Sequence, residues 1–121
     1  MTTDDTKTLI YHNPRCSKSR QTLQILNDKG VDADVVEYLK QPPDFKTLEH
    51  ILGLLGLEPR ELMRKNETCY TTLQLNDDNL DRPSLIQAMV DNPELIERPI
   101  VIRNGKAIIG RPPERILEIL T

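Results

Sequence analysis

Residues 100–109 read Ile100-Val101-Ile102-Arg103-Asn104-Gly105-Lys106-Ala107-Ile108-Ile109, two short apolar runs joined by Asn-Gly. Asn-Gly is the pair that most readily takes positive φ at both positions, as the two-residue turn of a β-hairpin requires. Ile100-Val101-Ile102 is therefore expected as a buried strand, with 106–109 as its antiparallel partner. Gly110-Arg111-Pro112-Pro113-Glu114 follows and opens a last helix, with Pro in its first turn and Ile116, Leu117, Ile119 and Leu120 facing inward.

The N-terminal third carries a different unit. Thr8-Leu9-Ile10-Tyr11 is a short β-prone run that ends at the turn signal His12-Asn13-Pro14. From Ser17 to about Lys29, the apolar positions Leu23, Ile25 and Leu26 describe an amphipathic helix stopped by Gly30. Ala33 to Tyr38 reads as a second strand. The order is β-α-β, and the crossover is long enough for a parallel pair.

Between these halves the pattern is helical. Asp44 caps a helix with Leu48, Ile51, Leu52 and Leu55 on one face, ended by Gly56. Pro59 opens a second, short helix carrying Leu62 and Met63. A further piece is expected over 71–75. Asp81-Arg82-Pro83-Ser84 starts a helix with Leu85, Ile86, Met89 and Val90, stopped by Asn92-Pro93. The whole is α/β: β-α-β, an all-helical insert over about 42–97, then β-β-α, with the hairpin strands flanking the parallel pair. That is the thioredoxin-like layout of a small mixed sheet with helices packed on it, in one domain spanning 1–121.

Composition bounds the function. A chain of 121 residues, 37% hydrophobic and 29% charged, has room for one core. The net charge of −3 gives no bulk attraction for nucleic acid. No run approaches the roughly 20 apolar residues needed to span a bilayer, and the polar, acidic start Met-Thr-Thr-Asp-Asp-Thr-Lys does not read as a secretory signal. The expected location is the cytoplasm. Two Cys and two His make a structural zinc site unexpected, and no bound metal or organic cofactor is indicated.

Cys16 is the candidate nucleophile. It lies in His12-Asn13-Pro14-Arg15-Cys16-Ser17-Lys18-Ser19-Arg20, between the first strand and the first helix. Unpaired N–H groups at a helix start carry partial positive charge, stabilise a thiolate and form a pocket for an oxyanion. Arg15, Lys18 and Arg20 add nearby cations. The spacing is C-x-x-S, so Ser19 cannot resolve a disulfide and a single-thiol enzyme must take electrons from outside. Cys69, inside the insert, is expected to be a structural thiol.

The segment 11–20 resembles the active-site segment of the glutaredoxin-coupled arsenate reductases. Glu61-Leu62-Met63-Arg64-Lys65-Asn66, Glu97-Arg98-Pro99-Ile100-Val101 and Gly110-Arg111-Pro112-Pro113-Glu114 resemble that family's second, third and fourth motifs, in order and at similar spacing. The resemblance runs from about Leu9 to Leu120. It implies that Cys16 attacks arsenate, that Arg64, Arg98 and Arg111 line the anion site, and that glutathione as co-substrate and glutaredoxin as partner complete the reduction. By the same resemblance His12 tunes the thiolate or orders the loop, Asn13 and Ser19 shape the loop, and Pro99 is held cis beside the cysteine. The basic loop and an end at Thr121, soon after the last helix, suggest a subgroup with a short C-terminus.

Other readings share these features. Spx-type regulators resemble the fold and bind RNA polymerase, but typical members carry C-x-x-C as a redox switch. A glutathione-dependent reductase of another substrate would share Cys16 and its pocket. A plain structural domain predicts an unreactive Cys16, with a thiol pKa near the free value of about 8.5.

Overall fold

The computed structural model describes residues 7–120. The expectations for the leading residues 1–6 and for Thr121 lie outside the described residues. The chain forms two compact units, one from the residues up to Gln41 together with those from Arg98 onward, the other from Pro42–Glu97.

The first unit is built on a four-stranded sheet. Its elements are β1 (Thr8–His12), α1 (Ser17–Asp28), β2 (Ala33–Glu37), β3 (Ile100–Arg103), β4 (Lys106–Ile109) and a terminal 3₁₀ helix, Pro113–Ile119. The strand order is β2-β1-β3-β4. β1 runs parallel to β2 and antiparallel to β3, and β3 pairs antiparallel with β4. Both hairpin strands thus lie on the β1 side of the parallel pair. Asn104 and Gly105 make the turn with φ of 55° and 72°, both left-handed, which matches the right-handed twist of the flanking strands.

Register places the site. Tyr11, next to the end of β1, is opposite Ile100 at the start of β3, and Ile100 is opposite Ile109 at the end of β4. The loop after β1, Pro99 before β3 and Gly110-Arg111 after β4 therefore meet at one end of the sheet. On one sheet face Ile10, Val101 and Ile108 are cross-strand neighbours, and they form a core with Leu26 of α1 and Ile116 and Ile119 of the 3₁₀ helix. Fully burying such an aliphatic side chain contributes roughly 1.5–3 kcal/mol.

The last helix differs from the α-helix expected. In a 3₁₀ helix residues three apart eclipse one another. Pro113, Ile116 and Ile119 consequently share the buried side, while Leu117, expected inward, is exposed. Leu120 is half-buried.

The second unit is helical. α2 (Phe45–Leu55) begins at Asp44, whose carboxylate accepts the Thr47 N–H at 2.8 Å, and ends at Gly56 with φ 68°. α3 (Pro59–Leu62) and α4 (Thr68–Thr72) are short. α5 (Arg82–Asp91) begins at Asp81, which accepts the Ser84 N–H at 2.9 Å. A 3₁₀ turn, Pro93–Leu95, follows. α4 lies three residues earlier than the helix expected over 71–75. Gln74 adopts φ 54° and ends it, a left-handed stop made without the glycine that would have marked it. Met63 and Ile96 form an isolated antiparallel bridge, joined by the Arg64 N–H to Leu95 carbonyl (2.7 Å) and Glu97 N–H to Leu62 carbonyl (2.9 Å) bonds. No helix among the described residues is long and apolar enough to cross a membrane.

Candidate active site

Cys16 is the N-cap residue of α1, with extended backbone (φ −92°, ψ 122°), and its side chain is buried. The loop before it is held from within. The Cys16 N–H donates to the Asn13 carbonyl at 3.0 Å, and the Arg15 N–H to Asn13 Oδ1 at 3.0 Å. Ser19, fully buried one turn into α1, accepts the Asn13 N–H at 3.1 Å and pairs through Oγ with His12 Nδ1 at 2.6 Å. His12, Asn13 and Ser19 thus form one buried network beneath the cysteine. Arg20 donates to the Pro14 carbonyl at 2.9 Å, so this cation, expected to act on Cys16, fastens the loop instead.

Two arginines reach the thiol. Arg111 Nη2 lies 3.5 Å from Cys16 Sγ, and Arg111 Nε donates to the Arg98 carbonyl at 2.8 Å. The Arg98 guanidinium also hydrogen-bonds the thiol. The Arg98–Pro99 bond is cis, as is Arg111–Pro112, which the sequence reading did not single out.

Burial pushes the Cys16 thiol pKa up. The Ser19 N–H, the Arg98 guanidinium through hydrogen bond and charge, and the Lys18 N–H together outweigh it, so the pKa is lowered. Cys16 Sγ makes no capping hydrogen bond to these N–H groups; their effect is the attraction of a helix start for the anion. His12 is also lowered, chiefly by burial, with Glu37 opposing and Arg20 reinforcing. Cys69 is shifted the other way, raised by burial and by Glu94 and Glu67.

Arg64 belongs to the helical unit. Its Nη1 lies 2.7 Å from Glu97 Oε1 and its Nε 3.3 Å from Glu67 Oε2. Burial opposes its charge, but the two carboxylates hold its pKa above the ordinary arginine value. The structure thus brings Cys16, Arg98, Arg111, His12, Asn13, Ser19 and Pro99 together in the first unit and places Arg64 between carboxylates in the second.

Three further positions were not assigned roles from the sequence. Glu67 and Glu97 anchor Arg64. Gly110 is a packing position: a Cβ there would stand 2.6 Å from Thr22 Oγ1 and 2.9 Å from Pro99 Cγ, closer than side chains approach. Its N–H donates to the Pro99 carbonyl at 2.9 Å. A glycine directly before Arg-Pro-Pro was the available signal, but its reason lies in distant residues. Among the described residues, no group of three His, Cys, Asp or Glu could hold a metal ion.

A thioredoxin-like fold with a cysteine at a helix N-cap position beside two guanidinium groups defines a class of thiol proteins suited to oxyanions. The chain belongs to the ArsC family, whose model matches residues 11–119. It is 59% identical over 112 residues to the uncharacterized protein YfgD of Escherichia coli, covering 92% of this chain and 94% of that protein. It is 49% identical over 112 residues to an arsenate reductase of Neisseria meningitidis, covering 92% and 96%. The solved structure of an arsenate reductase from Vibrio cholerae superimposes with a TM-score of 0.92 at 47% identity, covering 94% of this chain and 98% of that one.

Proposed function

We propose that this protein is an arsenate reductase of the cytoplasm that uses Cys16 as nucleophile and glutathione with glutaredoxin as reductant. The observation that carries the reading is the Cys16 thiol, lowered in pKa and in contact with Arg98 and Arg111. A thiolate attacks best when it is ionised at working pH, and guanidinium forks bind the oxygens of a tetrahedral oxyanion while balancing the charge that develops on them.

In the first step a bond forms between Sγ and arsenic(V), and one arsenate oxygen leaves as water after taking up protons. Glutathione then displaces a second oxygen, also as water. Arsenic(V) gains two electrons when a thiol of glutaredoxin attacks the glutathione sulfur. The two sulfurs end as a mixed disulfide, and arsenic(III) stays on Cys16 until water releases arsenite. Two thiols are oxidised for each arsenate reduced. Single-thiol chemistry with an outside reductant suits Ser19, whose hydroxyl is committed to His12 and Asn13.

The test is NADPH oxidation with arsenate, glutathione, glutaredoxin and glutathione reductase, comparing wild type with Cys16→Ser. Arsenate-dependent turnover that disappears in the variant is expected. Folded wild type with reduced Cys16 and no turnover contradicts the assignment.

A further inference from the structure

Beside the cysteine loop lies a concavity of about 220 Å³, lined by residues 12–15 with Glu37, Leu39 and Lys40. It shares residues 12–15 with the loop that presents Cys16 but takes its other wall from the end of β2 and the turn after it. Leu39 and Lys40 take no part in the cysteine loop, and Arg15 fastens it only through its backbone N–H.

The chemistry of this wall is specific. Arg15 and Lys40 are exposed cations, Glu37 is a half-buried carboxylate, and Leu39 is one of the few large apolar side chains left exposed, at 44%. The pattern complements a zwitterionic α-amino-acid head on a short aliphatic chain. A ligand carboxylate would meet Arg15 and Lys40, its ammonium would meet Glu37, and its methylenes would cover Leu39. Glu37 is available for this exchange. Its ion pair with Lys40 is 3.6 Å long and joins side chains that are 41% and 79% exposed. Such an exposed pair contributes about 0–1 kcal/mol.

We infer that this concavity is the subsite for the γ-glutamyl head of the co-substrate thiol, holding the tripeptide by its amino-acid end beside the Cys16 loop. The volume suits one end of a tripeptide rather than the whole of it. The inference rests on the glutathione-coupled reading above. It makes Arg15 and Glu37 specificity residues for the thiol rather than for the oxyanion. Arg15 is suited to this, because its backbone N–H holds Asn13 while its side chain stays exposed.

The sequence supplies a clean reporter, since it has two histidines: His12 in the wall and exposed His50 in α2 as internal control. The experiment titrates the folded, reduced protein with S-methylglutathione, which cannot react, and follows both imidazole ring signals by NMR without arsenate. The His12 signals should move saturably while those of His50 stay. Arg15→Ala and Glu37→Gln should each weaken the titration about tenfold, the loss of one charge-assisted contact, and the dipeptide Cys-Gly, lacking the γ-glutamyl head, should not produce it. No movement at His12, or a titration unchanged in both variants, overturns the subsite. Because the readout needs no turnover, it is independent of the coupled assay: binding without arsenate reduction would overturn the proposed reaction alone, and reduction without binding would overturn the subsite alone.

Discussion

Arg111 sets its guanidinium 3.5 Å from the sulfur of Cys16, a residue 95 positions earlier in the chain. The contact is made possible by the sheet register, which brings the end of β4 to the loop after β1, and by the Arg111 bond to the Arg98 carbonyl. The cation beside the thiol is therefore a product of the fold's non-local pairing, and its consequences can be measured.

The first concerns the thiol. A lowered pKa means that Cys16 alkylation by neutral iodoacetamide has its midpoint below that of an unperturbed cysteine thiol. The folded-state pKa lies below the unfolded one, so the matching stabilisation is full above about pH 8.5 and is lost as pH falls through the folded value. Arg98→Ala should move the alkylation midpoint upward, because it removes both a hydrogen bond and a charge. Peptide-resolved mass spectrometry across pH measures this and separates Cys16 from Cys69, whose raised pKa makes it the slower thiol.

Gly110→Ala should perturb the same quantity without touching the thiol. The added methyl would press on Thr22 and Pro99, so the segment must shift and carry Arg111 with it. Overpacking of this kind costs about 1–3 kcal/mol. Adding Thr22→Ala removes the nearest clashing atoms and should recover part of both the stability and the arsenate turnover, as thermal melts and the coupled assay would reveal.

Ser19→Ala should destabilise the first unit by about 1–3 kcal/mol, since the buried Asn13 N–H and His12 Nδ1 lose their partner. Urea unfolding at pH 7 measures the loss. His12 adds a pH dependence. Its folded pKa lies below the ordinary 6.5, so the unfolded chain takes up the proton first. The contribution is full above about pH 6.5 and is lost as pH falls through the folded value. The decline in stability from pH 7 to pH 5 should be shallower in His12→Gln.

In the helical unit, Glu97→Ala removes the closer partner of Arg64. Both side chains are about three-quarters buried, which places the cost between an exposed pair and a fully buried one, at about 1–3 kcal/mol. Glu97→Gln should lose less, because the amide oxygen still accepts a hydrogen bond. Chemical denaturation of the two variants side by side provides the comparison.

Features that depend on neighbours in sequence were legible. Asn104-Gly105 turns the hairpin, Asp44 caps α2, 81–84 start α5, and Cys16 sits at a helix start, because each acts through backbone groups a few residues away. Local reasoning failed where the period or the stop had no distinctive residue. The 3₁₀ period turned Leu117 outward, and Gln74 ended α4 in a conformation usually left to glycine. The site was half legible. Cys16 could be read from its loop, but Arg98 and Arg111 were separated from ordinary surface arginines only by the resemblance of motif order. The need for glycine at 110 depends on where Thr22 and Pro99 come to rest, which no local pattern encodes.

On the proposed reading, Cys16 is a thiolate held where an oxyanion binds. The most direct measurement is the rate of Cys16 alkylation by iodoacetamide at pH 7 in a Cys69→Ser background, with and without arsenate. Fast alkylation and saturable protection by arsenate are expected, with the protection weakened in Arg111→Ala. Slow alkylation at the rate of a free cysteine, indifferent to arsenate, would contradict it.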